Sequence, residues 1–390
     1  MFNMRGRIFF IFYMQKKHRV AILSTFPVWL IDPTLPDFKG HYAVWLLPLY
    51  EQFGHHPEWE VHWICTSTGI KKTKSFISHH QYFHVLPKRS LTIGLYTAYI
   101  RERLSIQKIL RDIQPDILHT WGTEFFYGLC GKDYKKKIWL HSVQGLMKAY
   151  MKRGHMSRFH KIHSIYEPGV LKAAKYLTTE SEWAADCVRE TAKNAQPFIW
   201  DYAVEDRFFS TERQIAESPT CLYCGSSAEI KNLDTLIEAF STPQLSHINL
   251  ILAGPAPKKD YSPNITALGR QSRDTVAKLM SQAWCLIHPS KADTGPTALK
   301  EARVMGLPVI ATHACGAKRY IDEGKSGFIV NPTDVQAYIN AVLKITKNKE
   351  TAIAFGEHGR EEVRNKLSNA TMYNNLIDIY TTLLQRENDN

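Results

Sequence analysis

The sequence predicts an α/β protein made of two open parallel sheets, each covered by helices on both faces, with a cleft between the two halves. Three observations carry this reading. Short apolar runs of strand length alternate with helix-length segments in both halves, the order that specifies a parallel sheet. The chain has 390 residues, enough for two domains of roughly 150 each. Nothing recurs at a solenoid period. Sheets of this kind bind ligands beyond the carboxyl ends of their strands, which places a ligand between the halves.

The elements follow in order. Residues 19–24 (R-V-A-I-L-S) read as a buried strand. A long loop over 25–39 carries three prolines and ends at Gly40-His41. Residues 42–53 are helix-like, 60–65 a second strand, 71–74 a charged turn and 82–86 a third strand. Residues 95–113 read as one amphipathic basic helix. The runs D-I-L-H (116–119) and K-I-W-L-H (137–141) are strands, and the basic stretch 148–161 reads as an interfacial segment. Residues 176–179 and 198–200 close the first half. The second half alternates strand 220–224, helix 233–240, strands 248–253 and 265–268, helix 273–283 and strand 284–288. Strand 328–330 and helices from 334 onward complete it. The expected division is an N-terminal domain over 1–205, a second over 206–368, and a C-terminal helix over 369–390 packing back on the first.

Composition narrows the classes. Apolar content is 44% and charged content 22%, ordinary for a globular chain with full cores. The net charge of +12 is uneven. Residues 1–205 carry 28 Lys+Arg against 17 Asp+Glu, a net of +11, and residues 206–390 carry 21 against 20, a net of +1. A basic half points to an anionic partner, either a membrane surface or a phosphorylated acceptor. A nucleic-acid partner is not expected, because no recognition motif accompanies the charge. The seven cysteines sit mostly in apolar runs, as free buried thiols of a reducing, cytoplasmic protein do. Cys221 and Cys224 form a C-x-x-C within a strand, where i and i+3 face opposite sides, and no second pair follows. The apolar run 8–14 is far short of the ~20 residues of a membrane span. It reads as a start-site extension before Met14 or as a short membrane-touching anchor. No G-x-G-x-x-G follows the first strand, which argues against a dinucleotide dehydrogenase.

The densest chemistry lies at 293–308, D-T-G-P-T-A-L-K-E-A-R-V-M-G-L-P. Gly295 and Pro296 feed a helix over 298–305, which Gly306 and Pro308 stop. A helix N-terminus offers free N–H groups and a positive dipole end, which suit a phosphate. Asp293 before the loop and Glu301 inside the helix flank that position and suit hydroxyls. In isolation Glu301 would be an ordinary surface glutamate and Asp293 a capping residue; in this arrangement they outline a nucleotide-sugar site.

On these residues the chain resembles the retaining glycosyltransferases of family 4, which have the two-domain GT-B fold. The likeness is most specific over 283–334, from A-W-C-L-I-H-P-S through the spaced acids to G-K-S-G-F-I-V-N-P-T-D. It extends to C-L-Y-C-G-S-S-A-E-I-K-N-L-D-T-L-I-E-A-F (221–240) and more loosely to Gly40, P-D-I-L-H (115–119) and Leu140-His141. The resemblance implies that Asp293 contacts the transferred sugar and Glu301 the ribose. It implies donor contacts from Gly40, Gly225, Ser226, Lys231, Gly295, Pro296 and Thr297, and a catalytic role for His141 beside the reacting sugar. Trp121 and Glu124 are expected on the acceptor side. Four positions depart from the family pattern. Asp293 stands where Glu is usual, T-G-P-T replaces glycine-aromatic-glycine, Ser226 replaces an Arg, and Arg319 stands where Glu is frequent. Arg270 or the Lys318-Arg319 pair are the candidates to supply the missing cation.

The implied reaction moves a sugar from a nucleotide diphosphate to a hydroxyl by front-face attack. The leaving phosphate accepts the proton, and the protein supplies positioning and electrostatics. No cofactor or metal is expected, since no Asp-x-Asp motif is present. The implied acceptor is a glycan or a polyprenyl-diphosphate-linked sugar at the inner face of a membrane, in surface polysaccharide synthesis. Two other readings stay open: an inverting or epimerase-type enzyme on the same fold, and a nucleotide-sugar-binding protein impaired in turnover.

Overall fold

The computed structural model describes residues 17–36, 43–123, 125–134, 137–154, 156–258 and 260–389. The start-site extension, Gly40 and Glu124 lie outside the described residues.

The first sheet contains β1 (His18–Leu23), β2 (Trp59–Ser67), β3 (Lys74–Ser78), β4 (Gln81–Pro87), β5 (Ile117–Trp121), β6 (Ile138–Ser142), β7 (Tyr176–Thr179) and β8 (Phe198–Ile199). Its order is β3-β4-β2-β1-β5-β6-β7-β8, and only the β3–β4 pair is antiparallel. The second sheet contains β9 (Thr220–Cys224), β10 (Asn249–Ala253), β11 (Ile265–Gly269), β12 (Cys285–His288), β13 (Val309–Thr312) and β14 (Gly327–Val330). Its order is β11-β10-β9-β12-β13-β14, parallel throughout. Two parallel-sheet domains facing one another across a cleft form the GT-B fold.

Burial explains the strand patterns. Central strands have both faces covered and therefore read as continuous apolar runs. On β1, Val20 and Ile22 enter one core, while Ala21 and Leu23 enter the other. On β9, Cys221 and Tyr223 face one core, and Leu222 and Cys224 face the opposite one. Edge strand β3 alternates partly buried and exposed residues, and this polar pattern hides it among the lysines before it. The predicted basic helix over 95–113 is two helices, Leu91–Tyr96 and Ile100–Ile113. They break at Ala98 and Tyr99, whose φ angles of 47° and 55° are left-handed. The basic stretch around 148–161 contributes the helix Met147–Met151 and the start of the long helix Arg158–Ala173.

The chain crosses between domains near residue 204. Trp200, Tyr202 and Ala203 belong to the first core, and Val204 and Phe208 to the second. The C-terminal helix Asn369–Asn388 returns to the first domain, where Met372, Leu376, Tyr380 and Leu383 join Val20 and Trp63. Tyr380 Oη lies 2.7 Å from His119 Nδ1, and Trp200 Nε1 donates to Met372 O at 2.9 Å. Among the described residues no helix is long and apolar enough to cross a membrane.

Candidate active site

The loop after β12 enters the helix Thr297–Val304, with Pro296 at the N-cap rather than at the first helical position. Asp293 lies in this loop. It forms a parallel bridge with Cys315, and its carbonyl accepts from Gly316 N at 2.9 Å. After β9, the turn Glu229–Lys231 ends at Asn232, whose φ of 56° suits asparagine. Asn232 Nδ2 anchors that turn by donating to Pro289 O and Pro332 O. The two loops thereby bring Lys231 Nζ within 2.6 Å of Asp293 Oδ2. His288 Nε2 lies 3.2 Å from the same oxygen, off the hydrogen-bond line. Burial opposes ionisation of Asp293, but Lys231 and His288 outweigh it and hold the carboxyl below the usual range.

Glu301 sits on the second helical turn and is 1% exposed. Arg273, at the start of the helix Arg273–Gln282, pairs with it and also donates to Glu205 Oε1 at 2.8 Å through Nε. Burial raises the Glu301 carboxyl and Arg273 opposes the shift. Sequence reasoning missed Arg273 and named Arg270. Arg270 is exposed, whereas Arg273 begins a helix whose first turn leans on Phe208, 4.8 Å from the guanidinium to the ring. No local signal ties Arg273 to Glu301, which lies 28 positions away. Ser226 is exposed and accepts from Ala228 N at 3.4 Å, and its carbonyl accepts from Tyr223 Oη at 2.6 Å. Gly225 extends β9 by donating to Ala253 O at 3.0 Å.

The two domains meet through charges. Lys300, 1% exposed, donates to Glu180 Oε2 at 2.5 Å and to Tyr202 O at 3.1 Å. Gly295 packs on the same carboxylate, where a Cβ would lie 2.3 Å from Glu180 Oε1. Ser181 Oγ donates to Thr294 O at 2.7 Å, and Thr294 Oγ1 donates to Gln144 O. Arg319 does not stand as a free cation for phosphate. It grips Asp201, with Nη2 2.9 Å from Oδ2, while Tyr320 Oη donates to the other oxygen at 2.5 Å. The departure from the family pattern at Arg319 thus serves the domain interface.

Between the walls lies a cleft of about 510 Å³. Lys231, Asp293, Gly295, Thr297 and Ala298 line it from the C-terminal domain. Gln144, Tyr150, His160, Glu180 and Tyr202 are among the residues lining it from the other side. His141 is not brought to the cleft. It shares a strand face with Trp139, pointing beneath the helix Tyr127–Asp133, and a Cβ on Gly128 would lie 3.1 Å from His141 Cε1. His141 Nδ1 is 2.8 Å from Thr120 Oγ1, and burial lowers the imidazole to about 3. Trp121 is likewise sealed in the core, its ring 3.7 Å from that of His119, and it donates from Nε1 to Tyr202 Oη at 2.9 Å. Its link to the cleft runs through Tyr202. One described group has metal-ligand spacing, Asp322 with His358 and Glu362; it does not line the cleft, and Lys325 already neutralises Asp322.

The fold and this arrangement define the GT-B class. Residues 205–362 match the family model for glycosyl transferases group 1. Among curated relatives, the sulfoquinovosyl transferase of Arabidopsis thaliana is 28% identical over 191 residues, 44% of this chain and 37% of that protein. The lipopolysaccharide glucosyltransferase WaaG of Escherichia coli is 30% identical over 150 residues, 36% of this chain and 40% of that one. The chain thus spans less than half the length of these relatives. Among solved structures, the sucrose-phosphate synthase of Thermosynechococcus elongatus superposes with a TM-score of 0.76 at 18% identity, over 95% of this chain and all of that one. HepE of Anabaena, solved in complex with UDP-glucose, superposes with a TM-score of 0.67 at 13% identity, over 94% and 100% of the chains. At these identities the superpositions establish the fold.

Proposed function

We propose that this protein is a retaining glycosyltransferase that moves a hexose from a nucleotide-diphosphate sugar to a hydroxyl of a glycan or lipid-linked acceptor, in surface polysaccharide synthesis. The observation that carries the proposal is the paired arrangement at one helix N-terminus. Lys231 and Asp293 face each other at 2.6 Å beside the first turn, and buried Glu301 lies on the second. A bound diphosphate takes Lys231 and the first-turn N–H groups, which releases Asp293 to accept from sugar hydroxyls. Glu301, held by Arg273, accepts from the ribose. The positive field on the leaving diphosphate then comes from protein groups, so the reaction proceeds without a metal. The UDP-glucose complex of HepE and the lipopolysaccharide role of WaaG support the substrate classes.

Peripheral contact with an anionic membrane belongs to the same reading. Ile93, Tyr96, Ile100, Leu104 and Ile165 are exposed on the first domain, with Arg101, Arg158 and Lys161 exposed among them. Apolar side chains ringed by Lys and Arg suit the headgroup layer. NMR of the product tests retention. The same anomer as in the donor agrees with the proposal, and the opposite anomer would replace it with the inverting alternative.

A further inference from the structure

We propose that the C-terminal domain carries a second ligand site, away from the cleft, for a soluble organic phosphate. Arg213, Lys349 and Arg360 hold the phosphate, and Ile215, Met305 and Ile353 face its apolar body. These residues line a hollow of about 520 Å³, as large as the cleft at about 510 Å³. It lies at the amino ends of β12 and β13, beside Ala283 and Gly306, the edge opposite to the carboxyl ends where the cleft opens. The helix Thr297–Val304 has its first turn at the cleft and runs out at Met305 and Gly306 on the hollow. Among the described residues, none lines both.

The cations here are poorly balanced by acids. Arg213 is set between two chain ends, donating from Nη1 to Gly306 O at 3.1 Å and from Nη2 to Ala283 O at 2.8 Å. Those carbonyls fix its plane without cancelling its charge. Among the described residues no carboxylate pairs with it, and its buried Nε has no partner. Burial without a counter-charge pulls the guanidinium down to about 10, a penalty that a bound anion removes. Arg360 converges on the same place, since a Cβ on Gly306 would lie 3.4 Å from Arg360 Cδ. Among the described residues Arg360 has no acidic partner. Lys349, the first residue of the helix Lys349–Val363, meets Glu217 at 2.8 Å, but that glutamate side chain is 94% exposed and screened by water. Three cations against one lining acid, Glu357, leave an excess of two positive charges. A phosphomonoester carries about −1.5 to −2 near pH 7, which matches that excess. The three apolar side chains call for a carbon body on the phosphate, and planar guanidinium forks suit its oxygens.

Methionine-methyl NMR on the full chain tests the proposal, because Met305 lines the hollow and Met147 lines the cleft. Spectra of Met305→Leu and Met147→Leu assign the two signals. The probes, at constant ionic strength, are a hexose monophosphate, a nucleoside monophosphate, inorganic sulfate and dihexanoyl phosphatidic acid. The expected result is a saturable Met305 shift with a soluble organic phosphate, at least about tenfold tighter than with sulfate. Arg360→Gln combined with Lys349→Gln weakens that binding about tenfold or more, while the Met147 response to nucleoside diphosphate stays within about twofold. Arg213 is kept in this variant because it also fastens the two chain ends. A Met305 signal that no probe moves below roughly ten millimolar overturns the proposal. So does a Met305 response unchanged in the double variant, or sulfate bound as tightly as both soluble organic phosphates. Phosphatidic acid bound more tightly than either soluble phosphate overturns it in favour of a lipid headgroup.

Discussion

Replacing Lys300 by methionine strands the Glu180 carboxylate at the buried domain interface. The two side chains are 1% and 6% exposed, and the ammonium and carboxylate are 2.5 Å apart. Removing one member of a buried pair costs about 3–5 kcal/mol, because the surviving charge keeps its desolvation penalty without its partner. Burial already raises the Glu180 carboxyl, Lys300 counters that shift, and Asp201 and Asp293 add to it. Without Lys300 the folded-state value rises further above that of the unfolded chain. The folded state then holds the proton more tightly, so stability falls as pH climbs above the unfolded value and recovers as pH drops through the folded one. Urea unfolding of Lys300→Met should therefore show a larger deficit at pH 8 than at pH 5. Adding Glu180→Gln removes the stranded charge and should restore about 2 kcal/mol at pH 8. A single-variant deficit under about 1 kcal/mol at both pH values refutes the reasoning, as does a double variant no more stable than the single.

Three further outcomes follow from the same geometry. Gly295→Ala puts a Cβ 2.3 Å from Glu180 Oε1 and should cost about 1–3 kcal/mol in urea unfolding, and this increment should largely vanish when measured in a Glu180→Ala background, whose own deficit comes from the stranded Lys300. Arg273→Ala leaves Glu301 buried without its cation, raising its carboxyl further. Nucleotide affinity should fall about tenfold or more, and the deficit should shrink as pH rises, because a raised carboxyl ionises only at higher pH; calorimetry across a pH series reads this. Replacing Ile100 and Leu104 together by Ser should lower binding to anionic vesicles at least about fivefold without changing turnover of a soluble acceptor, and unchanged sedimentation with vesicles would remove the membrane contact.

The second domain was largely legible in the sequence, because its strands are short, fully buried and separated by strong turn residues. The helix predicted over 233–240 is the observed Leu233–Phe240. The first domain was less legible for identifiable reasons. β3 is an edge strand of alternating exposure that follows directly on the charged turn predicted over 71–74, with no long apolar run to mark it. The break between Leu91–Tyr96 and Ile100–Ile113 is made by Ala98 and Tyr99, with no Gly or Pro to mark it. At the site, the acid–loop–helix unit was legible as a local pattern, and the structure sets Lys231 against Asp293 within it. The partners that decide orientation were not. Lys300 meets Glu180 from 120 positions away, and Arg319 meets Asp201 from 118, so no local signal encodes either pair. His141 was expected to end its strand, but β6 continues to Ser142, and the two-residue period aims His141 under a helix instead of into the cleft.

The central claim is that a nucleotide sugar binds between Lys231, Asp293 and Glu301. Nucleotide release and thermal shift across UDP-, GDP- and ADP-sugars, run on wild type, Asp293→Ala and Glu301→Ala, test it most directly. One donor class should stabilise the wild type and be turned over. Asp293→Ala should keep affinity for the nucleoside diphosphate while losing at least about a hundredfold in turnover, and Glu301→Ala should lose the nucleotide affinity itself. Undiminished sugar transfer by the chain carrying both substitutions would contradict the site.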